Sequence, residues 1–503
     1  MNASRRRLFD RLMLAGVVLL YAVLAARRIE VPVPGYDEAI YVPPALDILR
    51  GATAGHPRGW PLMVMTYVGC PMSYFLAPFI RVCGLSVATM RLPAIGLALA
   101  AVLILLYLIS RNFPRLPLWA PAGVCLLDST FLISSRTGLY VDSSIHWFLL
   151  SLLLLFLWKW SLTRRPLPAL LAFVCVGFGI YAKIIFVWFA FPAAAAVWYY
   201  SRRDAPASRA RLAGLCGLGL FIGALPLVIY NMTSGWATEA VILDHLIRPD
   251  DTTTASNVSF LENLATRWDH LRVMCSGDFL FPTNPARAFS GLVLLALFAA
   301  GFFLFRKKRQ RASFAGAGAF VAALFFGSVF TVSGRFPQHL FPILPLMLVL
   351  GGVALAKLLP GRLPLGLACA ALLAPQVAHF NDYIVAIARV PDYHSTRGFY
   401  SLSAFLSTAG VARPVALDWG LSHPLLVASG GKVSPRDDFD DPRPSLMPGG
   451  TAICYWKPAA VHDVLRGCDR LLLDRSFVVG EIRRFPDPPD VPVFAAIRVL
   501  DVR

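Results

Sequence analysis

The sequence predicts an all-α polytopic membrane protein of about eleven transmembrane helices, closed by a small C-terminal α/β domain. Three observations predict it. Of 503 residues, 57% are hydrophobic and only 15% charged, which is more apolar surface than a water-soluble core can hide. Apolar stretches of roughly 15 to 25 residues recur through the first three quarters of the chain, and about 20 such residues cross the hydrocarbon layer as a helix. Beyond residue 380 the pattern changes to short alternating runs broken by glycine and proline.

The expected spans lie near 12–26, 87–110, 118–135, 143–160, 168–182, 184–200, 212–230, 288–305, 313–332, 340–357 and 363–380, the fifth being short. The first follows a basic head, and no small-residue cleavage site separates Ala25-Ala26 from Arg27-Arg28, so it is read as a span and not a removed signal. The segment from Pro71 to Cys83 is too short to cross and is expected to lie at the interface or re-enter. This gives a transmembrane module over 1–380, with a first outer loop at 27–86 and a second large one at 231–287. A soluble extracytoplasmic domain follows at 381–503. Its strands are expected in Pro414 to Asp418, Thr451 to Trp456, Arg470 to Val479 and Val491 to Val499. No internal repeat is visible, which disfavours paired-repeat transporters.

The net charge of +18 raises a nucleic-acid partner until its position is read. With Arg5, Arg6, Arg7 and Arg11 on the cytoplasmic side, the cytoplasmic segments hold 20 Lys and Arg against two acids, Asp10 and Asp204. That is the positive-inside pattern of a multi-pass protein of the cell inner (plasma) membrane, and eleven spans then put the C-terminal domain in the periplasm or outside the cell. Residues 381–503 hold 14 basic and 14 acidic residues, so no nucleic acid is expected and the surrounding partner is membrane lipid. No cysteine or histidine cluster has metal-ligand spacing. Cys454 and Cys468, 14 apart in the outer domain, are candidates for a disulfide in an oxidising compartment, with connectivity open.

The chemistry is sought on the outer face. Directly after the first span, Gly35-Tyr36-Asp37-Glu38-Ala39-Ile40-Tyr41 places two carboxylates at the membrane surface, ahead of a roughly amphipathic helix ending at Arg50-Gly51. A solvated helix N-terminus explains such a pair; so does a partly desolvated carboxylate that accepts a proton from an acceptor hydroxyl. Asp128 and His146 fall inside spans, where ionisable residues face a cavity or a partner, and they are candidates to pair with each other.

Asp37-Glu38 after span one is followed in order by Pro71-Met72-Ser73-Tyr74-Phe75, Gly84-Leu85-Ser86 and Met90-Arg91-Leu92-Pro93. Ser135-Arg136 with Val141-Asp142, Tyr181-Ala182-Lys183 and Gly334-Arg335-Phe336-Pro337-Gln338-His339 come next. Their order, spacing and common side of the membrane resemble the GT-C glycosyltransferases, specifically the protein O-mannosyltransferase and lipid A aminoarabinose transferase group. That resemblance implies a GT-C fold and an inverting transfer from an undecaprenyl- or dolichyl-phosphate sugar to a hydroxyl on a glycan, lipid or protein acceptor. By it, Asp37 is the general base and Glu38 its support.

Lys183, Arg335 and His339 are the expected donor phosphate ligands, since charge builds on the departing phosphate where little water is present. Asp142 is a candidate for holding the first loop or the acceptor, with a helix cap as the alternative. His56, Arg58 and Arg136 are lesser candidates beside lipid phosphates. No cofactor and no divalent metal are expected. A transporter or flippase of lipid-linked glycans, or a non-catalytic assembly protein, are the readings from other classes.

Overall fold

The computed structural model describes residues 3–51, 60–137, 143–247, 260–277, 285–305, 307–330, 337–387, 397–418, 420–438, 446–456, 467–474, 476–487 and 491–502. Helix α1 (Ala3–Ala26) leads into a folded first loop. This contains the one-turn α2 (Tyr36–Ala39), α3 (Val42–Arg50), a small hairpin of β1 (Met63–Met65) and β2 (Val68–Gly69), and α4 (Pro71–Cys83). Helix α3 stops where expected, because Gly51 takes the left-handed conformation with φ 65° and its amide caps Asp47 and Ile48 carbonyls. The 13 residues of α4 form one short helix.

The bundle continues with α5 (Val87–Asn112), α6 (Trp119–Leu126), α7 (Ser129–Thr137), α8 (Ser143–Thr163), α9 (Pro166–Ala182), α10 (Ala190–Ser201) and α11 (Pro206–Thr233). Next come α12 (Ala237–Ile247), α13 (Phe260–Ser276), α14 (Pro285–Leu304), α15 (Lys308–Gly327), α16 (Leu344–Leu358) and α17 (Arg362–Ala386). Among the described residues nine helices are long and apolar enough to cross a membrane, and the chain is a multi-pass membrane protein. Two of the eleven expected stretches fall outside those nine. The 17 residues of α9 make a short apolar helix, and the stretch at 118–135 is two helices. Asp128 causes the break: its Oδ1 accepts the Phe131 amide at 3.0 Å, capping α7. Its Oδ2 lies 3.5 Å from Nη2 of Arg287, which also donates to Ser129, Thr130 and the Cys275 carbonyl. Asp128 and His146 therefore do not pair; His146 stacks on Phe186 instead.

Close helix crossing is bought with glycine where α9 meets α11. A Cβ at Gly177 would strike the Leu220 carbonyl oxygen, and one at Gly223 the Val174 carbonyl oxygen. Gly219 and Gly223 form the small-xxx-small face that lets backbones touch where lipid supplies no hydrophobic drive. At the opposite end of the bundle from the first loop, Asp10 of α1 joins α6 and α17 by accepting from Trp119 Nε1 and pairing with Arg362.

The chain ends in an α/β region. Helices α18 (Arg397–Thr408), α19 (Ser422–Ala428) and α20 (Gly467–Leu473) accompany strands β3 (Val415–Ala416), β4 (Arg436–Asp437), β5 (Thr451–Tyr455), β6 (Phe477–Asp487) and β7 (Val491–Val502). The sheet order is β4-β3-β5-β7-β6, with β3 parallel to both neighbours and β7 antiparallel to both of its own. Three of the four expected runs are strands. In the run expected from Arg470 to Val479, the described residues up to Leu473 are helical, and the strand starts at Phe477. A disulfide joins Cys454 on β5 to Cys468 on α20.

Candidate active site

The site is built around α2. Its N-cap is Gly35, whose amide donates to Glu38 Oε2 at 3.3 Å, so the acidic pair begins as part of a helix cap. Glu38 then does more than cap. Arg91 of α5 donates from Nε to Oε1 at 2.7 Å and from Nη2 to Oε2 at 2.8 Å, and from Nη1 to the Ile29 carbonyl at 2.5 Å. Both side chains are buried. Arg136 of α7 lies behind the same loop, where Nη2 donates to the Arg28 and Val31 carbonyls and the guanidinium covers the Phe380 ring. Two buried arginines thus hold the descent from α1 into α2, and Glu38 is committed to Arg91.

Asp37 points elsewhere. Burial pushes its carboxyl above the ordinary carboxylate range, and the nearby Lys183 ammonium partly opposes that shift. Tyr67 on the hairpin turn senses the Asp37 charge as well. Lys183 is delivered by the abrupt end of α9, where it adopts an extended conformation and bridges Val68 of β2. The hairpin is fastened there by Tyr181, which accepts from the Cys70 amide at 3.2 Å and donates to the Leu62 carbonyl at 2.7 Å. Gly69 lacks a side chain because a Cβ would collide with Tyr181.

On the other side of Lys183 stands a second group of bases. His339, in the 3₁₀ turn Pro337–Ile343, interacts electrostatically with Lys183, Arg267 and His270. Arg267 of α13 is buried. It donates from Nε and Nη2 to the Ser328 carbonyl at 3.3 and 3.1 Å, and its Nη1 lies 3.3 Å from His270 Nδ1. A guanidinium has no acceptor, so His270 accepts at Nδ1 and keeps its proton on Nε2. Asp37 and His339 thus both lie within electrostatic range of Lys183, and Arg267 and His270, in contact with each other, lie within range of His339. The structure puts Glu38 and Arg136 behind the loop. His56, Arg58, Asp142 and Arg335 lie outside the described residues, among which no group of three or more His, Cys, Asp or Glu is gathered as a metal site.

Arg267 and His270 were missed because the helix phase of the second large loop cannot be read from composition. Their neighbours Trp268 and Asp269 are exposed, Trp268 at 58%. Arg91 carried a usable signal, since a charge inside an apolar span is functional by default.

A polytopic bundle with a folded first loop and a C-terminal α/β region is a fold this chain shares with solved structures of low sequence identity. In particular, the fold is that of ArnT, an aminoarabinose transferase, from Cupriavidus metallidurans. The ArnT structure bound to undecaprenyl phosphate aligns with a TM-score of 0.63 at 13% identity, over 96% of this chain and 97% of that one. The apo structure aligns at 0.62 and 11% identity over 98% of each. No protein-family model and no curated protein matches the sequence.

Proposed function

We propose that this chain is an inverting glycosyltransferase of the cell inner membrane that moves a sugar from a polyprenyl-phosphate donor to an acceptor hydroxyl on the extracytoplasmic face. The observation that carries the reading is the juxtaposition of a desolvated carboxylate, Asp37, with Lys183 at the head of a buried basic group. The carboxylate takes the proton of the attacking hydroxyl as the new glycosidic bond forms. Lys183, His339, Arg267 and His270 stabilise the negative charge that collects on the departing phosphate monoester. Arg335, four residues before His339 in the sequence, is kept as a proposed phosphate ligand. Arg136 and Glu38 keep the loop in register instead.

The likeness to an undecaprenyl-phosphate-bound transferase supports a polyprenyl-phosphate donor. No divalent metal is part of this proposal, so turnover is expected to survive EDTA. The test is transfer from radiolabelled undecaprenyl-phosphate sugars into native membranes by purified protein. Incorporation into a membrane product supports the reading, and transbilayer movement of the donor without any transfer would move the chain to the flippase class.

A further inference from the structure

Asp37 sits between two anchored neighbours. Successive residues of a helical turn point about 100° apart, so Tyr36, Asp37 and Glu38 face three directions from the single turn of α2. Glu38 is fixed to the membrane bundle through Arg91. Tyr36 is fixed to the C-terminal region, its ring stacked on His423 of α19 with centroids 4.9 Å apart and planes 19° apart. His423 is itself held in place: Ser422 Oγ lies 3.4 Å from its Nδ1 and donates to Asp437 Oδ2 of β4 at 2.7 Å.

The contact is part of a mutual insertion. Val33, just before α2, is buried in the C-terminal core with Leu402, Leu425 and Phe494, while Leu426 and Val427 of α19 are buried in the first-loop cluster with Ala39, Val42 and Ala45. Tyr400 of α18 adds a 3.1 Å hydrogen bond to the Glu30 carbonyl.

We propose that the C-terminal α/β region is a working part of the transfer site, with His423 as a positioning residue that fixes Tyr36 and so aims the Asp37 carboxylate at the Lys183 side. The inference rests on Asp37 being the base. Because the single turn of α2 is anchored separately through Tyr36 and Glu38, the aim of Asp37 depends on how the C-terminal region is seated, and displacement of a catalytic group by about 1 Å costs on the order of 100-fold in rate.

The experiment compares full-length wild type, His423→Ala, His423→Phe and Asp37→Asn in lipid nanodiscs. Three quantities are read: transfer from a radiolabelled undecaprenyl-phosphate sugar into native membranes, affinity for undecaprenyl phosphate alone, and hydrogen exchange of peptides covering residues 35–41. His423→Ala is expected to lower kcat roughly 10- to 100-fold with undecaprenyl phosphate affinity unchanged, and to speed exchange only over 35–41. His423→Phe, which keeps a flat ring, is expected to restore most of both. Full kcat in His423→Ala, or a loss that Phe does not restore or that comes without faster exchange, overturns the proposal. If Asp37→Asn retains full transfer, the base assignment fails first, and exchange over 35–41 alone then reports whether His423 seats the loop.

Discussion

Glu38 accepts two hydrogens from Arg91, Nε–H to Oε1 at 2.7 Å and Nη2–H to Oε2 at 2.8 Å, across 53 residues of sequence. The pair is buried on both sides, and the third arginine nitrogen reaches the Ile29 carbonyl, so one side chain joins a membrane helix both to the turn that carries Asp37 and to the chain leaving α1.

Removing one partner of such a pair leaves an uncompensated buried charge. Arg91→Met is therefore expected to cost roughly 3–5 kcal/mol, and Glu38→Gln combined with Arg91→Met to recover much of it. Thermal unfolding of the detergent-purified variants checks this. Equal losses in the single and double variants would show that the pair is not the source.

The α9–α11 crossing gives a stability prediction with an internal control. Gly223→Val places a side chain against the Val174 carbonyl and is expected to destabilise by about 1–3 kcal/mol or more through overpacking. Gly217→Ala lies on the same helix with nothing within 4 Å of the new Cβ and is expected to leave the melting temperature unchanged or slightly raised, since alanine favours a helix interior over glycine.

The pH dependence follows from Asp37. Its carboxyl is raised by burial, and a base must be deprotonated to act, so the acidic limb of kcat/KM should lie above the ordinary carboxylate range and activity should fall as pH drops through it. Lys183 lowers the Asp37 pKa. Lys183→Met should therefore move that limb to higher pH in addition to weakening turnover. A limb that stays in place would separate Lys183 from Asp37.

The buried basic group predicts a binding defect. Hydrogen bonds to charged groups contribute about 1.5–3 kcal/mol, so Arg267→Met is expected to weaken undecaprenyl phosphate binding by roughly 10- to 150-fold while Arg272→Met leaves it alone. Arg272 pairs with Asp269 on the exposed side of α13, which makes it the matched control in an equilibrium binding measurement.

Much of this was legible in the sequence because membrane helices announce themselves by length and hydropathy, and because Asp37-Glu38, Lys183 and His339 fall at helix ends, where loops carry function. The break at Asp128 was not legible. Asp128 makes the break by capping α7, but what compensates its buried charge is a guanidinium on α14, 159 residues away. Nor could the sequence divide the labour between Asp37 and Glu38 on geometric grounds. That division depends on Arg91, which sits in an apolar span as one residue of a short motif, and on the Tyr36–His423 stack, formed between segments nearly 400 residues apart.

The central claim is that Asp37 removes the acceptor proton. The most direct measurement is the single-turnover transfer rate of Asp37→Asn against wild type, with a radiolabelled undecaprenyl-phosphate sugar prebound and native membranes supplied as acceptor. General-base assistance contributes typically 10²- to 10⁴-fold, so the rate is expected to fall by about that factor while undecaprenyl phosphate affinity is retained. Wild-type rates from Asp37→Asn would contradict the account.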